Sequence, residues 1–218
     1  MSRIIVFGGH GRIALLLAPL LVARGDEVTS VIRNPDHVPE VEETGATALV
    51  ADVETLDTAE LADIVRGHDA VVWSAGAGGG SAERTYAVDR DAAIRTMDAA
   101  VEAGVNRYVM VSWIGSKADH GVAEDADFFP YADAKWAADE HLRGTELDAT
   151  ILGPGTLTFE EPTGRILIDA EGKAEVSRAD VAAVIAEAIG SPSTFGRTIR
   201  FGNGTTDSAV PIADALSA

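Results

Sequence analysis

The sequence has no cysteine, which excludes disulfides, thiolate zinc sites and a cysteine nucleophile. Lysine is nearly absent: Lys117, Lys135 and Lys173 are the only three. Lysine and arginine together number 17 against 35 acidic residues, and the formal net charge is -18. A field of that sign repels phosphate backbones, so nucleic acid is not expected as a partner. It also repels any phosphorylated small molecule, so a phosphate site must be made locally from backbone N–H groups and a few arginines. Long apolar runs are missing too. Ile4–Phe7 is too short for a signal peptide or a membrane span, and Ala14–Ala23 has only the length of a core helix. No membrane is expected as a partner, and the chain reads as cytoplasmic. The five histidines, His10, His37, His68, His120 and His141, lack metal-ligand spacing. No Gly-x-Ser-x-Gly elbow accompanies Ser112, Asp119 and His120, which sets a serine hydrolase aside.

A hydrophobic fraction of 46% suffices for a core, and its distribution is regular. Apolar strand-like runs at Arg3–Phe7, Glu27–Ile32, Ala46–Val50, Asp69–Ser74, Val105–Ser112 and Ala149–Leu152 alternate with helical patterns. The helical patterns cover Gly11–Arg24, Leu56–Arg66, Ala82–Ala103 and Tyr131–Arg143. Continuous apolar strands separated by helices predict a parallel sheet covered on both faces, a doubly wound, three-layer α/β fold of Rossmann type. After Pro154 the rhythm changes. Short strands are expected at Gly164–Asp169 and Arg197–Phe201, and Ser177 is placed to cap a helix over Arg178–Ile189. The reading is one domain over 1–218, with a core of 1–153 and a small substrate-side portion over 154–218. The glycine run 76–80 and the acidic stretch Gly121–Phe129 are candidate lids.

Between the first strand and the first helix stands Gly8-Gly9-His10-Gly11-Arg12-Ile13-Ala14. Gly9-x-Gly11-x-x-Ala14 fits the dinucleotide fingerprint, and Gly8-x-x-Gly11-x-x-Ala14 fits its wider relative. Glycine allows a tight turn and a close approach of backbone to a pyrophosphate, and the helix N-terminus supplies unpaired N–H groups and a positive dipole end. The second strand ends in Arg33 with no carboxylate at its tip, which favours NADP(H) and leaves NAD(H) as the alternative. Asp52-Val53, after the third strand, is placed beside an adenine ring or as a helix cap. Tyr131 and Lys135 are one helical turn apart and face one site. There a lysine ammonium is expected to lower the phenol's pKa and to hold ribose hydroxyls. Trp113, Phe128, Phe129 and Phe159 are candidates for an apolar wall.

These motifs, in this order, resemble the short-chain dehydrogenase/reductase superfamily, in its atypical, NmrA-like or NAD(P)H-binding branch. The likeness covers nearly the whole chain. It includes Ser74-Ala75-Gly76, Tyr108–Ser112, Tyr131-x-x-x-Lys135, Leu152-Gly153-Pro154-Gly155 and Val176–Ala182. The resemblance implies hydride transfer at a nicotinamide, with Tyr131 as proton donor or acceptor, Lys135 as its partner, and Ser112 or Ser116 polarising the substrate oxygen. It places Gly8, His10, Gly11, Arg12, Ile13, Arg33, Asp52, Val53, Ala75, Gly76 and Lys135 on the cofactor. The expected activity is an NADP(H)-dependent oxidoreductase acting on a small carbonyl, quinone-like or sugar-like molecule. The alternatives are a dinucleotide-binding regulator without turnover and an epimerase or dehydratase. Two positions depart from the pattern: Trp113 replaces the second serine of Val-Ser-Ser, and Gly153 replaces the arginine before Pro-Gly.

Overall fold

The computed structural model describes residues 1–170, 174–204 and 208–217. The six expected apolar runs form β1 (Arg3–Phe7), β2 (Glu27–Ile32), β3 (Thr47–Val50), β4 (Ala70–Trp73), β5 (Arg107–Val111) and β6 (Asp148–Pro154). All six are parallel, in the order β3-β2-β1-β4-β5-β6. The order reverses at β1 and β4, and ligands of open α/β sheets lie at such a switch point, beyond the carboxyl ends of the strands. Alternate residues of β1 feed opposite faces. Ile4 and Val6 pack under α1 (Arg12–Ala23) and α7 (Arg178–Ile189). Ile5 and Phe7 pack with α3 (Thr58–Val65), α5 (Ala93–Ala103) and α6 (Phe129–Arg143). The doubly wound fold expected from the alternation is the one observed.

Residues after 153 extend this sheet. Besides β7 (Thr156–Thr158) and β9 (Glu175–Ser177), which pair with each other, they supply β8 (Arg165–Ile168), β10 (Arg197–Gly202) and β11 (Val210–Pro211). β10 runs parallel to β6, β8 antiparallel to β10, and β11 antiparallel to β8, giving a main sheet of nine strands among the described residues. Ser177 caps α7, accepting from Asp180 N at 3.0 Å. The buried Asp180 carboxylate in turn accepts from Thr163 N at 2.9 Å and Gly164 N at 2.8 Å, fixing the turn into β8.

The helix expected over 82–103 has three parts: α4 (Ala82–Thr85), a π-helical segment Tyr86–Ala92, and α5. π-turns mark places where a side chain is re-aimed, frequently at functional sites. Here the segment carries Asp89, only 2% exposed. Two short helices were not anticipated, α2 (Val38–Glu43) and α8 (Ile212–Ser217).

Arg107, at the start of β5, is buried and bolts the sheet to the end of α7. It donates to Ile189 O at 3.2 Å, Ala188 O at 2.6 Å, Asp148 O at 2.5 Å and Thr194 Oγ1 at 3.1 Å, and lies over the Phe195 ring. Methionine there orphans those acceptors. Arg107→Met is expected to cost about 3 kcal/mol, since each stranded buried acceptor costs roughly 1–3 kcal/mol. Urea unfolding checks this; a loss under about 1 kcal/mol would show the bolt to be dispensable.

Candidate active site

The glycine loop turns at once after β1. Gly11 N donates to Gly8 O at 2.8 Å, and Gly9 N donates to Val31 O at 2.8 Å, tying the loop to β2. Gly8 holds φ 80°, and a Cβ there would stand 2.6 Å from Ala75 Cα. On Gly9 a Cβ would stand 2.5 Å from Ser30 Cβ. The N-cap of α1 is Gly11, with no side-chain cap and no acid in the first turn. The N–H groups of Arg12, Ile13 and Ala14 find no acceptor among the described residues. Three orphan donors at a positive dipole end fit a phosphate-bearing dinucleotide.

Along this loop opens a cleft of about 480 Å³. Gly8, His10, Gly11, Arg33, Asp52, Val53, Ala75 and Gly76, all expected on the cofactor, line it. Arg12 and Ile13 line an adjoining cavity instead, with Gly11, Ser74 and Gly78 shared between the two. His10 bonds Glu40 at 2.7 Å and stacks on His37. Asp52 Oδ1 accepts from Glu54 N at 3.1 Å, a local turn. Arg33 donates to Glu54 Oε1 at 2.6 Å, and Arg84 reaches the same oxygen at 3.3 Å. Two guanidiniums thus share one carboxylate at this end of the cleft.

On α6, Tyr131, Lys135 and Asp139 stand at successive i+4 positions and form one stripe. Lys135 is 1% exposed, and its Nζ donates to Val111 O at 2.7 Å. Burial depresses its pKa, while the nearby Asp89 and Asp139 raise it. Asp139 is buried, and Ser112 and Ser116 both donate to its Oδ2, at 2.5 Å and 2.6 Å. Asp89, from the π-segment, accepts from Ala77 N at 2.9 Å. Burial raises both carboxyls, and Lys135 holds each of them down.

The expected lowering of the Tyr131 phenol by Lys135 does not occur. Burial pushes its pKa up, and Asp89 and Asp139 push it the same way. The lysine is committed to a main-chain carbonyl, and two carboxylates flank it. The serine hydrogens are likewise spent on Asp139 rather than aimed at open space. Sequence reasoning missed Asp139 and Asp89, although both had signals. Asp139 repeats the Tyr131–Lys135 interval, and Asp89 falls four residues before Ala93 on an otherwise apolar helical stripe.

The aromatic residues separate. Trp113 packs edge-on against Phe128 at 5.1 Å, and Phe128 lies 5.1 Å from Tyr131. Phe129 packs on His120, and Phe159 lies apart, between Arg12 and Arg178. Both departures from the family pattern have a local account. The Trp113 ring occupies the side of Gly115, where a Cβ would lie 2.1 Å from it. Opposite Gly153 in the β6–β10 register stands Arg200, which donates to Ser116 O at 3.0 Å. A guanidinium therefore returns to this region from the neighbouring strand.

Tyr131 and Asp89 line a cavity of about 300 Å³ with Phe128 and the glycine run. It meets the long cleft at Gly76, Ala77 and Gly78. Among the described residues no helix is long and apolar enough to cross a membrane, and no acidic or histidine cluster suits a metal ion.

Comparison with known proteins agrees with this geometry. A family described as NAD(P)H-binding matches residues 8–192. An uncharacterized sugar epimerase, YhfK, of Bacillus subtilis is 31% identical, covering 98% of each chain. A putative NAD-dependent epimerase/dehydratase from Bacillus halodurans superimposes with a TM-score of 0.90 at 33% identity, covering 99% of each chain. ChuY, an anaerobillin reductase from Escherichia coli O157:H7, gives 0.77 at 25% identity, covering 93% of this chain and 97% of its own. The dinucleotide cleft, the parallel sheet beneath it and these relatives agree: the chain belongs to the NAD(P)H-binding family, whose members include reductase- and epimerase-type proteins.

Proposed function

We propose that this protein is an NADP(H)-dependent oxidoreductase acting on a small carbonyl, quinone-like or sugar-like substrate. The observation that carries the reading is the junction of two cavities at Gly76–Gly78, one built for a dinucleotide and the other presenting Tyr131. When bound, the nicotinamide supplies or accepts the hydride. The rest falls to side chains. The α1 N–H groups and Arg12 hold phosphate, and the flat end near Asp52 and Val53 receives the adenine. Lys135 offers its remaining N–H groups to ribose hydroxyls. Tyr131 gives its hydroxyl proton to the substrate oxygen as the carbonyl becomes an alcohol. With its pKa raised, the phenol is a proton donor rather than a resident phenolate. Ser112 acts through Asp139, fixing the helix face beside Tyr131.

Preference for NADP(H) rests on Arg33 and Arg84, two guanidiniums that meet at Glu54 and are placed to receive a 2′-phosphate at this end of the cleft. Arg33→Ala is expected to weaken NADPH roughly tenfold, the value of one lost charge-assisted contact, and to leave NADH unchanged. Unchanged NADPH/NADH discrimination would refute the assignment.

A second reading, a dinucleotide-binding regulator without turnover, is favoured by the commitment of both serine hydrogens to Asp139. The relatives' names favour a third, an epimerase that consumes no cofactor. A panel of aldehydes and ketones, assayed with NADPH dideuterated at the nicotinamide C4, separates oxidoreduction from the other two readings. Oxidoreduction consumes NADPH and puts deuterium in the product. No consumption of NADPH and no deuterium in any product, across the panel, would count against the proposal.

A further inference from the structure

Arg12, at the first position of α1, and Arg178, at the first position of α7, converge on one aromatic ring. The Arg12 guanidinium carbon lies 5.0 Å from the Phe159 centroid and that of Arg178 lies 4.0 Å from it. Neither has a carboxylate partner among the described residues. Arg178 donates to the carbonyls of Leu157 and Thr158, at 3.2 Å and 2.9 Å, and the Arg12 side chain lies over the ring with no hydrogen bond among the described residues. Burial, then the charge of Arg12, lowers the pKa of Arg178. Two like charges are therefore held together with no ion-pair partner among the described residues, in a chain of formal charge -18.

Both arginines line a cavity of about 410 Å³ with Gly11, Ile13, Ser74, Gly78 and Leu157. Gly11, Arg12 and Ile13 bring the N-terminus of α1 to its wall. Phe159 is 74% exposed, an uncommon state for a large apolar ring unless something flat or charged covers it. Planar guanidiniums suit two-pronged contact with phosphate or carboxylate oxygens, and cation–π contact with the ring pre-sets their orientation.

We propose that Arg12 and Arg178 form an anion clamp that grips phosphoryl or carboxylate oxygens across Phe159, at the side of the glycine loop facing β7 and α7. The inference takes the orientation of the cleft from the dinucleotide reading. Its ligand has two possible sources: the dinucleotide's own phosphates, or an anionic group of the substrate.

Calorimetric titration of the dialysed protein with inorganic pyrophosphate, and separately with NADPH, tests this. Wild type, Arg12→Gln, Arg178→Gln and Arg178→Lys are compared at one salt concentration. The Arg12 side chain makes no hydrogen bond among the described residues, so its variant is expected to keep the fold; Arg178→Lys keeps the charge where the glutamine disturbs Leu157 and Thr158. Each glutamine variant is expected to bind pyrophosphate roughly tenfold more weakly or worse, with partial recovery in Arg178→Lys. If Arg178→Gln weakens NADPH by a similar factor, the clamp grips the dinucleotide. If NADPH affinity is unchanged while pyrophosphate affinity falls, the clamp serves an anionic substrate. Equal pyrophosphate affinity in wild type, Arg12→Gln and Arg178→Gln, or no binding to wild type, overturns the clamp. If pyrophosphate binding follows both arginines while NADPH fails to bind wild type, the clamp stands and the dinucleotide reading falls.

Discussion

Tyr131→Phe is expected to lower turnover by roughly 10²–10⁴, the usual contribution of a positioned proton donor, with little change in KM. The change removes one oxygen from a ring that packs against Phe128 and Trp113, and among the described residues the Tyr131 hydroxyl makes no hydrogen bond that the loss would strand. The fold is therefore expected to be retained. The pH profile carries a second signature. Because burial, Asp89 and Asp139 raise the phenol, the protonated form persists through neutral pH. Reduction is expected to stay flat with respect to this group there and to fall only on the alkaline side. Asp139→Asn, which removes one of the two charges holding the phenol up, is expected to move that limb toward neutral. Full turnover in Tyr131→Phe would remove the proton-transfer assignment.

Gly11→Asp is expected to separate binding from stability. Gly11 has φ -65° and ψ 149°, ordinary for a helix N-cap, and aspartate is among the preferred caps. Its carboxylate would accept from the orphan N–H groups of α1. A Cβ would come within 3.0 Å of Gly8 O, a tight contact that offsets part of the gain. Stability is expected to change by less than about 1 kcal/mol. Dinucleotide binding is expected to fall by more than about 100-fold, because a fixed negative charge then occupies the phosphate position and like charges in contact cost several kcal/mol. Calorimetry and thermal unfolding on the same sample check both halves. Retained NADPH affinity would mean that phosphate does not sit at this helix end.

Legibility from sequence followed how local the determining physics was. The six parallel strands and their helices were readable because each buries a continuous apolar run, and strand–turn–helix punctuation at Gly8–Gly11 needs no long-range information. Ser177 was readable as a cap for the same reason. The three-residue strands β7 and β9 were not, since such lengths carry no periodicity. Short strands were readable at Gly164–Asp169 and Arg197–Phe201, where β8 and β10 stand, but no local signal specifies the edge pairing by which they and β11 extend the sheet. The Tyr131–Lys135 interval located the site, but the direction of the phenol's pKa did not follow from it. That direction depends on Asp89, brought in from another helix by a π-segment, and on Asp139 with its two serine donors. Arg200 opposite Gly153 is likewise a matter of strand register, invisible to a motif read along one segment.

Titration of the dialysed protein with NADPH and with NADH at one fixed salt concentration tests the central claim most directly. Saturable 1:1 binding of NADPH, with NADH distinctly weaker, is the predicted result. It would place a phosphate-bearing dinucleotide on the α1 N-terminus with Arg33 at its far end. Binding of neither would contradict the account, leaving a parallel sheet with a glycine turn that holds no dinucleotide.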